Sequence, residues 1–155
     1  MSIAIQKPLN EAEIGVLRAL QQDAERQRKE IAFDLHMSQS KLSKVVADLV
    51  ARGYIRKTAA ILDPKNLGFG YVSFFRVRFK DFTSMEKAEA ALAARPEIQE
   101  IYGTGRGFEL FIKMHTNSNE KLVNFKFELG SMEGVKRVRM FSTLHTIKSE
   151  TDLPI

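Results

Sequence analysis

The hydrophobic period of the chain changes at Asp63-Pro64, and that change limits the folds open to it. Upstream, apolar residues recur at helical spacing. Leu42, Val45, Val46, Leu49 and Val50 fall at i, i+3, i+4, i+7 and i+8, one face of an amphipathic helix. Downstream, strand-like alternation and helical spacing take turns: Phe75, Val77 and Phe79 point one way, Arg76, Arg78 and Lys80 the other. Proline fixes φ and keeps the residue before it out of helix, so Asp63-Pro64 reads as a turn, with Gly68 and Gly70 close behind. Two domains follow, residues 1–62 and residues 63–155.

The first domain reads as three helices and the start of a strand. Asn10 is an N-cap with Glu11 and Glu13 in the first turn, and Ile14, Leu17 and Leu20 form a stripe behind it. A charged break over Asp23–Gln27 precedes a short second helix carrying Ile31 and Leu35. His36-Met37 makes the turn, Ser38 caps the third helix, and Gly53 ends it. Tyr54–Thr58 then begins an extended segment. Two short helices, a tight turn and an amphipathic third helix make a helix-turn-helix, and the strand after Gly53 makes it winged.

That arrangement suits double-stranded DNA. Ser38, Gln39, Ser40 and Lys41 open the third helix with short polar groups and an amide able to hydrogen-bond base edges in the major groove. Lys41, Lys44, Arg52, Arg56 and Lys57 are placed to reach phosphates. The charge agrees: +5 overall, with 10 basic and 7 acidic residues through Leu62 against 14 and 12 beyond it. A plain three-helix core with solvated lysines has the same charges; the order of elements and the polar start of the third helix favour DNA.

The second domain reads β-α-β-β-α-β. Thr83 with Glu86, and Asn117 with Glu120, look like capping boxes heading two helices. Phe108, Leu110, Ile112 and Met114 alternate with Glu109, Phe111 and Lys113, and a last strand runs from Val135 toward Ile147 with Val138, Met140 and Leu144 on one face. Such a pattern predicts an antiparallel sheet with two helices on one side, a ferredoxin-like βαββαβ fold, in an α+β chain. Phe74 and Phe111 fall on the helix-free face, which a second subunit would cover.

Composition excludes several functions. With 155 residues, 44% of them hydrophobic, the chain can build cores; without cysteine it can form no disulfide, thiolate metal site or thiol nucleophile. No apolar run reaches the roughly 18–20 residues a membrane span needs, and Met1–Lys7 lacks a secretory pattern, so a cytoplasmic protein is expected. His36, His115 and His145 have no metal-ligand spacing, and Gly103, Gly105 and Gly107 lack the spacing and following helix of a nucleotide loop. No nucleophile elbow or carboxylate pair suggests an enzyme.

Taken together, the chain resembles the Lrp/AsnC (feast/famine) family of transcription regulators. The likeness runs from Leu9 to about Ile147. It rests on Leu9, Ile14, Leu17 and Leu20, on Met37-Ser38, on Leu49–Ile55, on the bridge Ala60–Gly68, on Gly105–Lys113 and on Glu133-Gly134-Val135. The third helix alone also resembles that of multidrug-resistance-type regulators. The family resemblance implies a homodimer that can assemble further to an octamer, and an amino acid bound between subunits at the turn Gly105, Arg106, Gly107, Phe108 and Glu109. No other cofactor is implied. Glu109 keeps an acid able to hold an α-ammonium, but the family's usual first acid is replaced by Gly107 and its usual glycine by Arg106. Arg106 either recognises a second carboxylate or fills the pocket. Two alternatives stay open: an effector-free architectural DNA-binding protein, and a haem-pathway decarboxylase of similar architecture using His115, His145 and Arg106.

Overall fold

A computed structural model describes residues 8–105 and 107–155. The chain forms two compact units, one made of the residues through Ile61 together with Ser149–Ile155, the other of Leu62–Lys148. The closing residues 149–155 therefore join the first unit rather than the second. Their placement has a simple cause: the Gln21 amide makes a reciprocal pair with the Leu153 backbone (Nε2 to the carbonyl oxygen at 2.8 Å, Oε1 from the amide at 3.0 Å). Arg18 Nε donates to the Ile155 oxygen at 2.5 Å.

The first unit contains α1 (Glu11–Gln22), α2 (Arg28–Asp34) and α3 (Gln39–Ala51). Asn10 and Glu13 form a reciprocal capping box at the start of α1, at 2.9 and 2.8 Å. Val16, Ile31, Ala32, Leu42 and Leu49 are its buried core, with Leu17, Leu20, Leu35, Val45, Val46, Tyr54 and Ile55 packed around them. The α1 stripe is thus centred on Val16, rotated from the expected Ile14–Leu17–Leu20 line, and Val50 at the end of α3 is half exposed. His36 adopts a left-handed φ of 51° in the turn between α2 and α3, where its amide donates to the Phe33 carbonyl at 3.0 Å. Tyr54–Thr58 pairs with no strand among the described residues, so the wing strand expected there is not assembled into a sheet.

The second unit contains β1 (Tyr71–Phe79), α4 (Phe82–Ala93), β2 (Ile98–Gly103), β3 (Glu109–Thr116), α5 (Asn119–Ser131) and β4 (Val135–Ser142). The strands lie in the order β2-β3-β1-β4, every neighbouring pair antiparallel, the order of a ferredoxin-like sheet. Phe75, Val77, Phe79, Leu110, Ile112 and Met114 turn inward against Ala88, Leu92, Leu122, Phe125 and Leu129 of the helices. The Phe75 and Phe125 rings meet edge to face at 5.0 Å.

Local boundaries differ from expectation in four places. Asp81, rather than Thr83, caps α4 by accepting from the Ser84 amide at 2.8 Å; Ser118, rather than Asn117, caps α5 by accepting from the Lys121 amide at 3.2 Å. The last strand stops at Ser142, because Thr143 turns its amide and hydroxyl onto the Val72 carbonyl; Leu144 and Ile147 beyond it are exposed. Phe108 precedes β3 and is exposed, contributing its carbonyl to the Phe79 amide at 2.7 Å instead of a ring to the core.

Gly134 sits in the turn just before β4. Its φ is +77°, and a Cβ there would overlap the buried Ser84 side chain. Both the left-handed backbone and the overlap oppose a side chain, so Gly134→Ala should cost roughly 2 kcal/mol or more, read as a lowered urea midpoint with an unchanged m-value.

Candidate nucleic-acid interface and effector turn

Serine at the end of a turn begins α3 because its hydroxyl satisfies a donor the helix cannot: Ser38 Oγ accepts from the Lys41 amide at 3.2 Å. Leu42 and Leu49 anchor the opposite face in the core. Helical geometry then leaves Gln39, Ser40, Lys41 and Lys44 exposed together on the outer surface of the same helix. None of these side chains forms an ion pair among the described residues, so the two ammonium groups are available for phosphates. Arg56 and Lys57 lie exposed on the segment that follows.

Arg52 is placed differently. Its guanidinium pairs with Glu13, meets Asp48 Oδ2 at 2.8 Å and lies 5.1 Å from the centre of the Tyr54 ring. Of the basic residues expected at phosphates, it is the one the fold uses internally. Glu13, only 8% exposed, caps α1 with one oxygen and receives Arg52 with the other, tying the start of α1 to the end of α3. Sequence spacing gives Asp48 as an i–4 partner of Arg52, but nothing local marks Glu13, 39 residues away.

The β2–β3 turn runs from Gly103 to Glu109. Gly107 has a φ of +70°, and open space surrounds the position a Cβ would take at both Gly105 and Gly107, so a ligand could approach the backbone there. Arg106 lies outside the described residues. Glu109 is 3% exposed, and its carboxylate is held by Arg76 (Nε at 2.9 Å, a terminal nitrogen at 2.8 Å) and by Arg78 Nε at 2.6 Å. Alternation alone put these arginines on the same face as Glu109; the β1–β3 register, Arg78 opposite Glu109, brings them together. Burial pushes the Glu109 carboxyl up, but the hydrogen bonds and charges of Arg78 and Arg76 outweigh it and hold the group below the usual carboxylate range.

The histidines stand apart. His36 sits in the α2–α3 turn and His145 beyond the end of β4, both exposed. Burial, reinforced by the Lys113 charge and opposed by Glu100, lowers the His115 pKa and favours its neutral form. No group of three or more potential metal ligands occurs among the described residues, and none of their helices is long and apolar enough to cross a membrane.

Comparison with known proteins agrees with this geometry. Residues 72–153 match the Lrp/AsnC ligand binding domain, and residues 7–63 match the MarR family. The chain is 33% identical over 148 residues to the HTH-type transcriptional regulator FL11 of Pyrococcus horikoshii, covering 96% of this chain and 97% of that one. The corresponding regulator of Pyrococcus abyssi is 30% identical, covering 95% and 97%. Among solved structures, a transcriptional regulator from Neisseria meningitidis in an L-Met complex superposes with a TM-score of 0.87 at 23% identity, covering 95% of this chain and 97% of that chain. AsnC of E. coli gives 0.86 at 21% identity, covering 94% and 99%. At those identities the structures bear on the fold alone. A helix-turn-helix with an exposed basic third helix, followed by a domain of this kind, defines a DNA-binding transcription regulator. The chain belongs to the Lrp/AsnC family. Its relatives are regulators rather than enzymes, and the decarboxylase alternative is not favoured.

Two expectations follow from the buried carboxylates. Glu13→Gln removes the charge facing Arg52 and weakens the cap, so the first unit should lose roughly 1–3 kcal/mol in denaturant titration. Glu109 has a folded pKa below its unfolded value, so its contribution is fully present above the ordinary carboxylate pKa of about 4.3 and is lost as pH falls through the lower folded value. The urea midpoint of the wild type should drop between pH 6 and pH 3 by more than that of Glu109→Gln, a difference absent if the two arginines leave Glu109 unperturbed.

Proposed function

We propose that the chain regulates transcription by setting the first turn of α3 in the major groove of its operator, with Gln39 and Ser40 at base edges and Lys41, Lys44, Arg56 and Lys57 at phosphates. Ser38 contributes by holding that turn in helix. The observation that carries the reading is the sidedness of α3, whose apolar stripe is buried while its polar and basic residues are exposed as one surface. Arg52 belongs to the original set of phosphate contacts, and its pairing with Glu13 and Asp48 makes it a support for α3 before it is a DNA ligand. A cytoplasmic location goes with this reading.

The regulator acts as a homodimer, with further assembly to an octamer. The helix-free face of the sheet supports this, since Phe74 and Phe111 stack on it at 5.5 Å and Phe141 and Tyr102 are half exposed beside them. Two α3 helices presented by one dimer would read half-sites about one helical turn of DNA apart.

An amino acid is the proposed effector, held at the turn Gly105, Arg106, Gly107, Phe108 and Glu109. The open backbone at the two glycines and the L-Met complex of the Neisseria regulator support it. A second reading, regulation without an effector, is favoured by one observation: both Glu109 oxygens are already bonded to arginine. Fluorescence anisotropy with duplex DNA, repeated with L-methionine and then each other amino acid, separates the two. A shift in DNA affinity with any of them supports the effector; no shift with all twenty supports the second reading.

The same assay tests the groove assignment. Lys44→Ala should weaken binding to all sequences alike and reduce the slope of log affinity against log salt by about 1. Gln39→Ala should instead change preference at one base position by roughly 1–3 kcal/mol. The reverse pattern would mean that α3 docks in another orientation.

A further inference from the structure

The open face of the sheet is divided into an aromatic half and a cationic half. In the cationic half, antiparallel register sets Arg76 opposite Arg139 and Arg78 opposite Arg137. Phe75, Val77, Val138 and Met140 pack on the core, so alternation sends all four guanidinium groups to the side away from α4 and α5. Like charges directly opposite on neighbouring strands destabilise a sheet. Here two such pairs stand side by side, and with Glu109 they line a cavity of about 170 Å³. Glu109 answers only the β1 side, bonding Arg76 and Arg78. Arg137 and Arg139 have no ion pair among the described residues. One cavity therefore holds four positive groups and one negative group.

We propose that this cluster binds a small, multiply charged anion of the phosphate class, held by Arg137 and Arg139 from β4 and by the outer nitrogens of Arg76 and Arg78 from β1. A net excess of three positive charges exceeds what a monocarboxylate can neutralise. Guanidinium forks match the paired oxygens of phosphate, and several forks converging on one volume suit an anion that presents oxygens in more than one direction. Glu109 fixes the two β1 guanidinium groups at 2.6–2.9 Å, so those donors are oriented in advance. The same carboxylate repels an anion too weakly charged to overcome it. The site is built from residues of the second unit and shares only Glu109 with the amino-acid turn, and it rests on neither the α3 reading nor the effector reading. On the face proposed to meet a second copy, the four guanidinium groups need a counter-charge beyond Glu109.

The probe is inorganic pyrophosphate, titrated calorimetrically into the full chain at ionic strength held constant with chloride. Wild type should bind it saturably, one per chain, and succinate at least about tenfold more weakly. The double variant R137Q/R139Q should lose affinity by at least about tenfold while keeping its unfolding midpoint or raising it, since a like-charge contact is relieved. If the double variant does not fold, R137Q and R139Q alone should each weaken pyrophosphate several-fold. No saturation by wild type, equal binding by the variants, or succinate binding as tightly as pyrophosphate would each overturn the proposal. It would also fall if pyrophosphate does not bind while R137Q/R139Q loses affinity for duplex DNA with a reduced salt slope; the face would then be a nucleic-acid surface.

Discussion

The position of α3 depends on one carboxylate in another helix. Glu13 lies on the buried side of α1, a costly place for a charge unless its oxygens are answered. One oxygen takes the Asn10 amide, closing the capping box, and the other takes the Arg52 guanidinium from the far end of α3. Arg52 is in turn braced by Asp48 and by the Tyr54 ring. The N-terminus of α1 and the C-terminus of α3 are thereby linked by hydrogen bonds with fixed direction, which apolar packing of Val16, Leu42 and Leu49 alone would not provide. In the proposed groove contact α3 has to present its first turn at a defined angle, and the link supplies that definition from its last turn.

The second unit uses a similar device for a different end. Glu109 is buried on the open face of the sheet by the side chains that neutralise it, and Arg76 and Arg78 reach it across the β1–β3 ladder. In both units a carboxylate removed from water is matched by arginine, whose planar fork can satisfy two oxygens at once. The consequences differ with the surplus. Around Glu13 one guanidinium is shared between two carboxylates, giving a brace; around Glu109 the arginines outnumber the acid, and the excess over Arg137 and Arg139 gives that half of the face a strong positive field.

Much of this was legible from the residues, and the parts that were not share a physical reason. The period change at Asp63-Pro64, the α3 stripe from Leu42 to Leu49, the Asn10 cap and the inward Phe75-Val77-Phe79 set follow from local spacing, and the structure has them. The α4 cap was misplaced because Asp81-x-x-Ser84 and Thr83-x-x-Glu86 both satisfy the local rule. Where β1 ends decides between them, with Lys80 bonding the Gly134 carbonyl at 2.7 Å. The division of chain ends was missed because residues 149–155 carry no periodicity of their own and are placed by Gln21 and Arg18. The partners of Glu13 and Glu109 lie 39 and 31–33 residues away, separations at which only the assembled fold brings side chains together.

The same long-range pairing explains why net charge was a poor guide to where this protein meets anions. A formal +5 does not distinguish Arg52 from Lys44, or Arg76 from Arg139. Burial and pairing do. Arg52, Arg76 and Arg78 are bound to acids, whereas Lys41, Lys44, Arg56 and Lys57 in the first unit, and Arg137 and Arg139 in the second, have no ion pair among the described residues. Unpaired cations grouped on one surface keep their hydration and their repulsion until an anion arrives, so binding relieves both a field and a like-charge contact. For the α3 surface the proposed answering anion is the phosphate backbone of DNA. For the sheet face the proposed site is a cavity of about 170 Å³, a size that suits a compact ligand rather than a duplex. Both proposed surfaces are therefore set by the cations that the chain's own carboxylates leave over.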